Sequence, residues 1–150
     1  MIKLLEYTMN TVFDLADIEK ECFGRDAWTI PNLRGEFLNE FSYLIGYYDD
    51  DKLVGYTCVR AMYEEAQVCN VAVLPNYRRK GIAKQLIDEM LRLSAEKGCK
   101  ICELEVNTEN VPAVELYKKC GFEVAGIRKN FYRKSRYSSR DAYTMTKSLE

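Results

Sequence analysis

Residues 71–87 read Val-Ala-Val-Leu-Pro-Asn-Tyr-Arg-Arg-Lys-Gly-Ile-Ala-Lys-Gln-Leu-Ile, and the order of residue types in this stretch decides the fold. The apolar run Val71 to Leu74 reads as a buried strand. Pro75 and Asn76 stop it. A basic turn follows, Arg78-Arg79-Lys80-Gly81-Ile82-Ala83. Beyond it, Ile82, Leu86, Met90 and Leu93 recur at helical spacing with polar residues between them. The first amides of a helix have no partner inside it, and the helix dipole concentrates positive charge there. Gly81 lets an anion approach the backbone, and Arg78, Arg79, Lys80 and Lys84 add cationic side chains. The physical reading is a pocket for a phosphate or pyrophosphate. The bland alternative is a solvated, basic helix start. The stretch has neither the Gly-x-x-x-x-Gly-Lys-Ser/Thr of a P-loop nor the Gly-x-Gly-x-x-Gly of a dinucleotide fold.

Working outward, 150 residues suit one domain, residues 1–150, with a full core. A composition 47% hydrophobic and 30% charged is ordinary for a globular protein. A net charge of −1 gives no reason to expect direct nucleic-acid or membrane binding. The charge is uneven, however: residues 124–140 hold six bases and no acid. That stretch reads first as a solvated face, with contact to RNA or anionic lipid the competing reading. The apolar start Met1 to Leu5 is short and broken by Lys3, so no signal peptide is expected, and no run is long enough to span a membrane. A cytoplasmic location is therefore expected. The six cysteines read as buried free thiols in a reducing compartment. Cys99 and Cys102 form an isolated C-x-x-C where a helix gives way to a strand, with no further pair to complete a zinc site, so no metal is expected. The chain has no histidine, which removes Ser-His and Cys-His catalysis. Any proton transfer must use Glu, Asp, Tyr, Lys, Cys or water.

In chain order, residues 2–8 read as a strand. A helix follows with Thr11 and Asp14 as capping box and an end near Gly24. A loop at 26–31 holds Trp28, and a short helix runs over 32–40. Residues 42–48 and 53–60 form a hairpin around Asp49-Asp50-Asp51-Lys52. Residues 66–74 are the next strand, and the long helix stops at Gly98. A strand at 100–106, a helix at 111–119, and strands at 122–127 and 141–149 complete the chain. The fold class is α/β in the α+β mixed sense, a mixed, mostly antiparallel sheet flanked by helices.

Arg78-x-x-Gly81-x-Ala83 after a strand, Leu104-Glu105-Val106, Asn107 to Asn110, and Ala113-x-x-Leu116-Tyr117 leading to Gly121-Phe122 stand in one order along the chain. Together they resemble the GNAT acetyltransferases over almost the whole length. Within that family, Leu104-Glu105-Val106, Gly126 to Tyr132 and Asp141 to Met145 most resemble the bacterial branch that acetylates the N-terminal alanine of a ribosomal protein. The resemblance implies the acyl-CoA N-acyltransferase fold. It implies acetyl-CoA as cosubstrate and direct attack by a primary amine in a ternary complex, the amine being the N-terminus of a protein, such as a ribosomal protein. It places the pyrophosphate on Arg78, Arg79, Lys80, Gly81, Ile82 and Ala83, and pantetheine on the backbone of Val71, Ala72 and Val73, with Asn110 and Tyr117 nearby.

Glu103 and Glu105 share a strand face, and paired carboxylates can raise one pKa. The resemblance selects Glu105 as the base, directly or through water, and Tyr117 as the acid that protonates the leaving thiolate. Against these stand an exposed strand charge and one packing tyrosine among eleven. Asn110 also reads as a helix N-cap. Trp28, Phe131 and Tyr132 are candidates to wall the peptide site, with core packing the competing reading. Ala27 departs from the family's proline before the tryptophan, and Arg133 to Arg140 is longer and more basic than the family's turn. These departures bear on the acceptor. Rival readings are a GNAT enzyme acting on a small amine or a lysine, and a non-catalytic acyl-CoA-binding or ribosome-associated module.

Overall fold

The structure is a computed structural model describing residues 1–150. Its strands are β1 (Ile2–Leu4), β2 (Ser42–Asp49), β3 (Lys52–Met62), β4 (Glu65–Val73), β5 (Ile101–Asn107), β6 (Glu123–Arg128) and β7 (Ala142–Ser148). Its helices are α1 (Met9–Phe23), α2 (Ile30–Leu38), α3 (Ile82–Glu96) and α4 (Val111–Lys119). The seven strands form one sheet in the order β1-β2-β3-β4-β5-β7-β6. Every neighbouring pair is antiparallel except β4 with β5.

The central strand explains the layering. Leu53 to Val59 are all buried, with no alternation between core and solvent. A strand reads this way only when both faces are covered. On one face the Glu36 carboxylate of α2 meets Cys58 and Arg60. On the other, α3 packs Leu86 over Gly55, where an added Cβ would meet Leu86 Cδ1 at an ordinary 3.4 Å but crowd β4, standing 3.1 Å from the Ala72 carbonyl and 3.2 Å from Val73 Cγ2. Glycine at 55 relieves that crowding between the paired strands. The expected apolar face of α3 is the one that packs: Ile82, Leu86, Met90 and Leu93 are buried. Burying such a side chain contributes about 1.5–3 kcal/mol. They join a core of 31 residues that runs the length of the sheet.

The element order agrees with the sequence reading; most boundaries move by a residue or two, and three of the shifts have a local cause. β1 ends at Leu4, not residue 8, because Thr8 caps α1 by accepting from the Thr11 amide at 3.1 Å. The cap is therefore Thr8, and Thr11 lies inside the helix. α2 starts at Ile30, where Thr29 and Asn32 form a capping box. Pro31 falls in its first turn, where a missing N–H costs nothing.

Candidate active site

β4 and β5 pair only from Glu65 to Gln67, against Ile101 to Glu103. Beyond that point β4 stays on β3 and β5 stays on β7, so the two strands part. A bulge helps to turn β4 away. Cys58 pairs with Asn70 and Val59 with Val68, which leaves Cys69 as an extra residue. The wedge between the strands is a cleft of about 620 Å³. Gln67 to Val71 form one wall, and Leu104 to Asn107 with Asn110, Ala113 and Tyr117 form the other.

Glu105 lies in that wall with its side chain 11% exposed. Leu104 and Val106 point into the core on the opposite face, as alternation requires. Gln67 Nε2 donates to Glu105 Oε2 at 2.8 Å, and Arg128 Nη1 donates to Oε1 at 3.2 Å. The carboxylate is thus fixed by groups from β4 and β6. On the same strand face, the Glu103 pKa is raised, through partial burial first and the Glu105 charge second.

Tyr117 lines the cleft from α4, its ring edge-on to Phe122 at 5.8 Å. Burial pushes its pKa well above the ordinary phenol value, with nearby Tyr132 adding to the effect, so it is a protonated donor at neutral pH. Tyr132, also in the cleft, is pushed up to about 12 by burial and then by Glu105. Phe131 lines the cleft too, edge-on to Tyr132 at 4.9 Å and beneath the Arg128 guanidinium. Asn110 lines the cleft and caps α4, accepting from the Ala113 amide at 3.4 Å.

Of the other sequence candidates, all but Val71 lie outside this lining. Val71 is in it, but Ala72 and Val73 are buried behind it. The Val71 amide donates to Asn70 Oδ1 at 3.0 Å, and the Val73 carbonyl accepts from Arg78 Nε at 3.0 Å. Arg78 therefore folds back on β4. Lys80 covers the Tyr77 ring, and Lys84 pairs with Asp88 at 2.7 Å. Gly81 caps α3 at φ +78° with no side chain closing the first turn. Beyond its chain neighbours, nothing comes within 4 Å of where its Cβ would be, so the start of α3 is uncrowded at that point. That geometry fits a pyrophosphate. Trp28 does not reach the cleft: it packs against the core, and its amide donates to Glu19 Oε1 at 2.8 Å. Phe23 and Asp26 line the cleft from that corner instead.

The basic arm is held down. Asn107 Nδ2 donates to Ser135 Oγ at 3.0 Å and to the Ser139 carbonyl at 2.9 Å. Glu109 accepts from the Ser138 and Ser139 amides at 3.2 and 3.0 Å. Lys134 to Tyr137 thereby roof the cleft, and Arg136 stacks on Phe23, 5.8 Å from its ring centre. The sequence reading missed Gln67, Arg128 and Glu19. Glu19 is fully buried and holds Asn70 Nδ2 at 2.9 Å. No local pattern marks these three, because each acts across strands or between a helix and the sheet.

A sheet that opens between two parallel strands, with a held carboxylate and a protonated phenol in the opening, is the architecture of a group-transfer enzyme. The family model described as "Acetyltransferase (GNAT) family" matches residues 10–122, and the chain belongs to that family; it is an acetyltransferase. It is 34% identical over 117 residues to the "Putative [ribosomal protein bS18]-alanine N-acetyltransferase" of Bacillus subtilis, covering 77% of each chain. Among solved structures, the ribosomal-protein-S18-alanine N-acetyltransferase of Escherichia coli superposes with a TM-score of 0.88 at 23% identity, over 100% of this chain and 95% of that one. The PaiA N-acetyltransferase of Thermoplasma acidophilum, solved in complex with coenzyme A, superposes with a TM-score of 0.80 at 20% identity, over 99% of each chain. The GNAT fold expected from the sequence is the fold observed.

Proposed function

We propose that this enzyme transfers the acetyl group of acetyl-CoA to the N-terminal α-amino group of a protein, in the manner of the ribosomal-protein-alanine acetyltransferases. The observation that carries the proposal is the Glu105 carboxylate, gripped by Gln67 and Arg128 inside the same cleft as the Tyr117 phenol. The likeness to the Bacillus subtilis relative supports the choice of acceptor.

In this reading the pyrophosphate rests on the first amides of α3 after Gly81, and the acyl end enters the wedge between β4 and β5. The amine attacks the thioester carbon, and the C–S bond breaks as the amide forms. Glu105 accepts the amine proton, directly or through one water. Tyr117 gives a proton to the departing thiolate. The Val71 amide serves the thioester oxygen once Asn70 Oδ1 releases it, which makes Asn70 a gate on that donor. Both substrates are held together in one cleft, so the chemical step gains from fixed orientation. Phe131, Tyr132 and Phe23 wall the acceptor's path, and the arm at Lys134 to Tyr137 covers it.

The test is acetyl-CoA turnover against a panel of peptides with different N-terminal residues, alongside polyamines, an aminoglycoside and free lysine. Peptides beginning with alanine should lead the panel. Faster turnover of a free amine, or no turnover at all, overturns the reading.

A further inference from the structure

The β4 bulge holds a feature that acetyl transfer does not use. Cys69, its extra residue, sits against Cys58 of β3. The two sulfurs and a Glu36 carboxylate oxygen all lie within 4.8 Å of one another. Cys58 is fully buried, whereas Cys69 is half-buried and lines the cleft. One sulfur is therefore reachable from outside, and its partner waits behind it.

The third member argues against a metal. The Glu36 carboxylate accepts from Ser42 Oγ at 2.8 Å, from Arg60 Nε at 3.3 Å, and from Arg60 Nη2. Three donors already occupy it, and a cation seated there would face the Arg60 guanidinium.

We propose that Cys58 and Cys69 form a reversible disulfide in the wall of the catalytic cleft, made by a hydroperoxide that reaches Cys69. The Cys69 thiolate attacks the O–O bond and keeps one oxygen as sulfenic acid, and the other leaves as hydroxide and is protonated to water. The Cys58 sulfur then attacks Cys69 Sγ, loses its proton, and expels the second oxygen as water. Two thiols lose two electrons, and one hydrogen peroxide becomes two waters. A dithiol reductant reverses the reaction by exchange.

The surroundings suit these roles. The Cys69 thiol lies below its ordinary pKa, chiefly because of the neighbouring Cys58 thiol, with the Arg60 charge adding to that, against the opposing burial and Glu36 charge. Cys58 is shifted the other way by the neighbouring Cys69 thiol and by its burial. Attacker and resolver are thereby distinguished. The bond would draw the bulge toward β3. Asn70, the next residue, holds both the Val71 amide and Glu19, so the wall beside the acyl site moves with it.

The disulfide stands independently of the acceptor assignment, and only its effect on turnover rests on the proposed function. The reduced, full-length protein is treated with hydrogen peroxide, its free thiols are alkylated, and it is digested with trypsin. Cleavage after Lys52, Arg60 and Arg78 puts the two cysteines on separate peptides, 53–60 and 61–78. The expected result is those peptides joined, with two thiols lost per chain and both recovered with dithiothreitol. A Cys22→Ser variant should still form the link, and a Cys69→Ser variant should not. The second avoids the buried Cys58, whose replacement risks the fold. Turnover should fall roughly tenfold or more as the linked fraction rises, because the acyl site loses its alignment. Absence of the 53–60/61–78 link overturns the proposal. So does one zinc ion bound per chain through these thiols that shields them from peroxide. Wild-type turnover by the fully linked chain overturns the claim that the bond distorts the cleft.

Discussion

Replacing Glu105 with glutamine isolates proton acceptance from shape. In the structure one carboxylate oxygen accepts from Gln67 and the other from Arg128. A glutamine can keep its oxygen toward Arg128 and turn its NH₂ toward Gln67, whose own amide then flips to accept. The side chain stays in place, the Arg128 bond loses its charge assistance, and the base is gone. Loss of a positioned base costs roughly 10²-fold in rate, which is about 2.7 kcal/mol in the barrier. The pH dependence follows from the acceptor. A peptide α-amine has a pKa of about 8, so roughly a tenth of it is neutral at pH 7 and about nine-tenths at pH 9. The glutamine variant, which must wait for neutral amine, should therefore gain nearly tenfold across that interval. The wild type should gain much less. The assay is kcat from pH 6 to 10 with acetyl-CoA and an alanine-terminated peptide both saturating. A variant that keeps the wild-type rate at every pH refutes the base assignment. A deficit that stays the same at every pH refutes the proton-acceptance argument and leaves Glu105 a positioning residue.

Tyr117→Phe removes the other proton, so kcat should fall roughly tenfold with no recovery at high pH; full recovery at pH 9 would place Tyr117 on the amine side. Gly81→Val forces a β-branched residue to φ +78°, which costs about 1–2 kcal/mol or more. It also adds bulk at the start of α3, so calorimetry should show acetyl-CoA binding weakened roughly tenfold; unchanged affinity would move the pyrophosphate elsewhere. Neutralising Arg133, Lys134, Arg136 and Arg140 should raise the peptide KM roughly fivefold at low salt and flatten its salt dependence. Identical kinetics would leave the arm a roof without a role in recruitment.

What was legible in the sequence was local. The strand, turn and helix of residues 71–87 could be read because a glycine at positive φ, a proline stop and helical spacing are all neighbour-range signals. Glu105 and Tyr117 were reached through resemblance, but what holds Glu105 was not. Gln67 lies on β4 and Arg128 on β6, and both reach it only through the order in which the strands are laid. The parting of β4 from β5 was invisible for the same reason. Thr8 and Thr11 are both plausible caps, and which one serves depends on where β1 releases the chain. Trp28 stood out as the only tryptophan, yet it packs against the core with its amide on Glu19, and Phe23 and Asp26 line the cleft at that corner. The Asn107 to Asn110 landmark carries a second duty in the structure: Asn107, Thr108 and Glu109 pin the arm that the sequence alone left as solvated surface or substrate contact. Cys58 and Cys69 looked like scattered core thiols until the bulge brought them together.

The most direct test of the account is where the acetyl group goes. A synthetic peptide beginning with alanine and carrying one internal lysine is incubated with the enzyme and acetyl-CoA, and the product is sequenced by tandem mass spectrometry. The account predicts acetyl on the α-amino group alone, with free coenzyme A released in equal amount. Acetyl on the lysine side chain, or release of coenzyme A without a modified peptide, would contradict it.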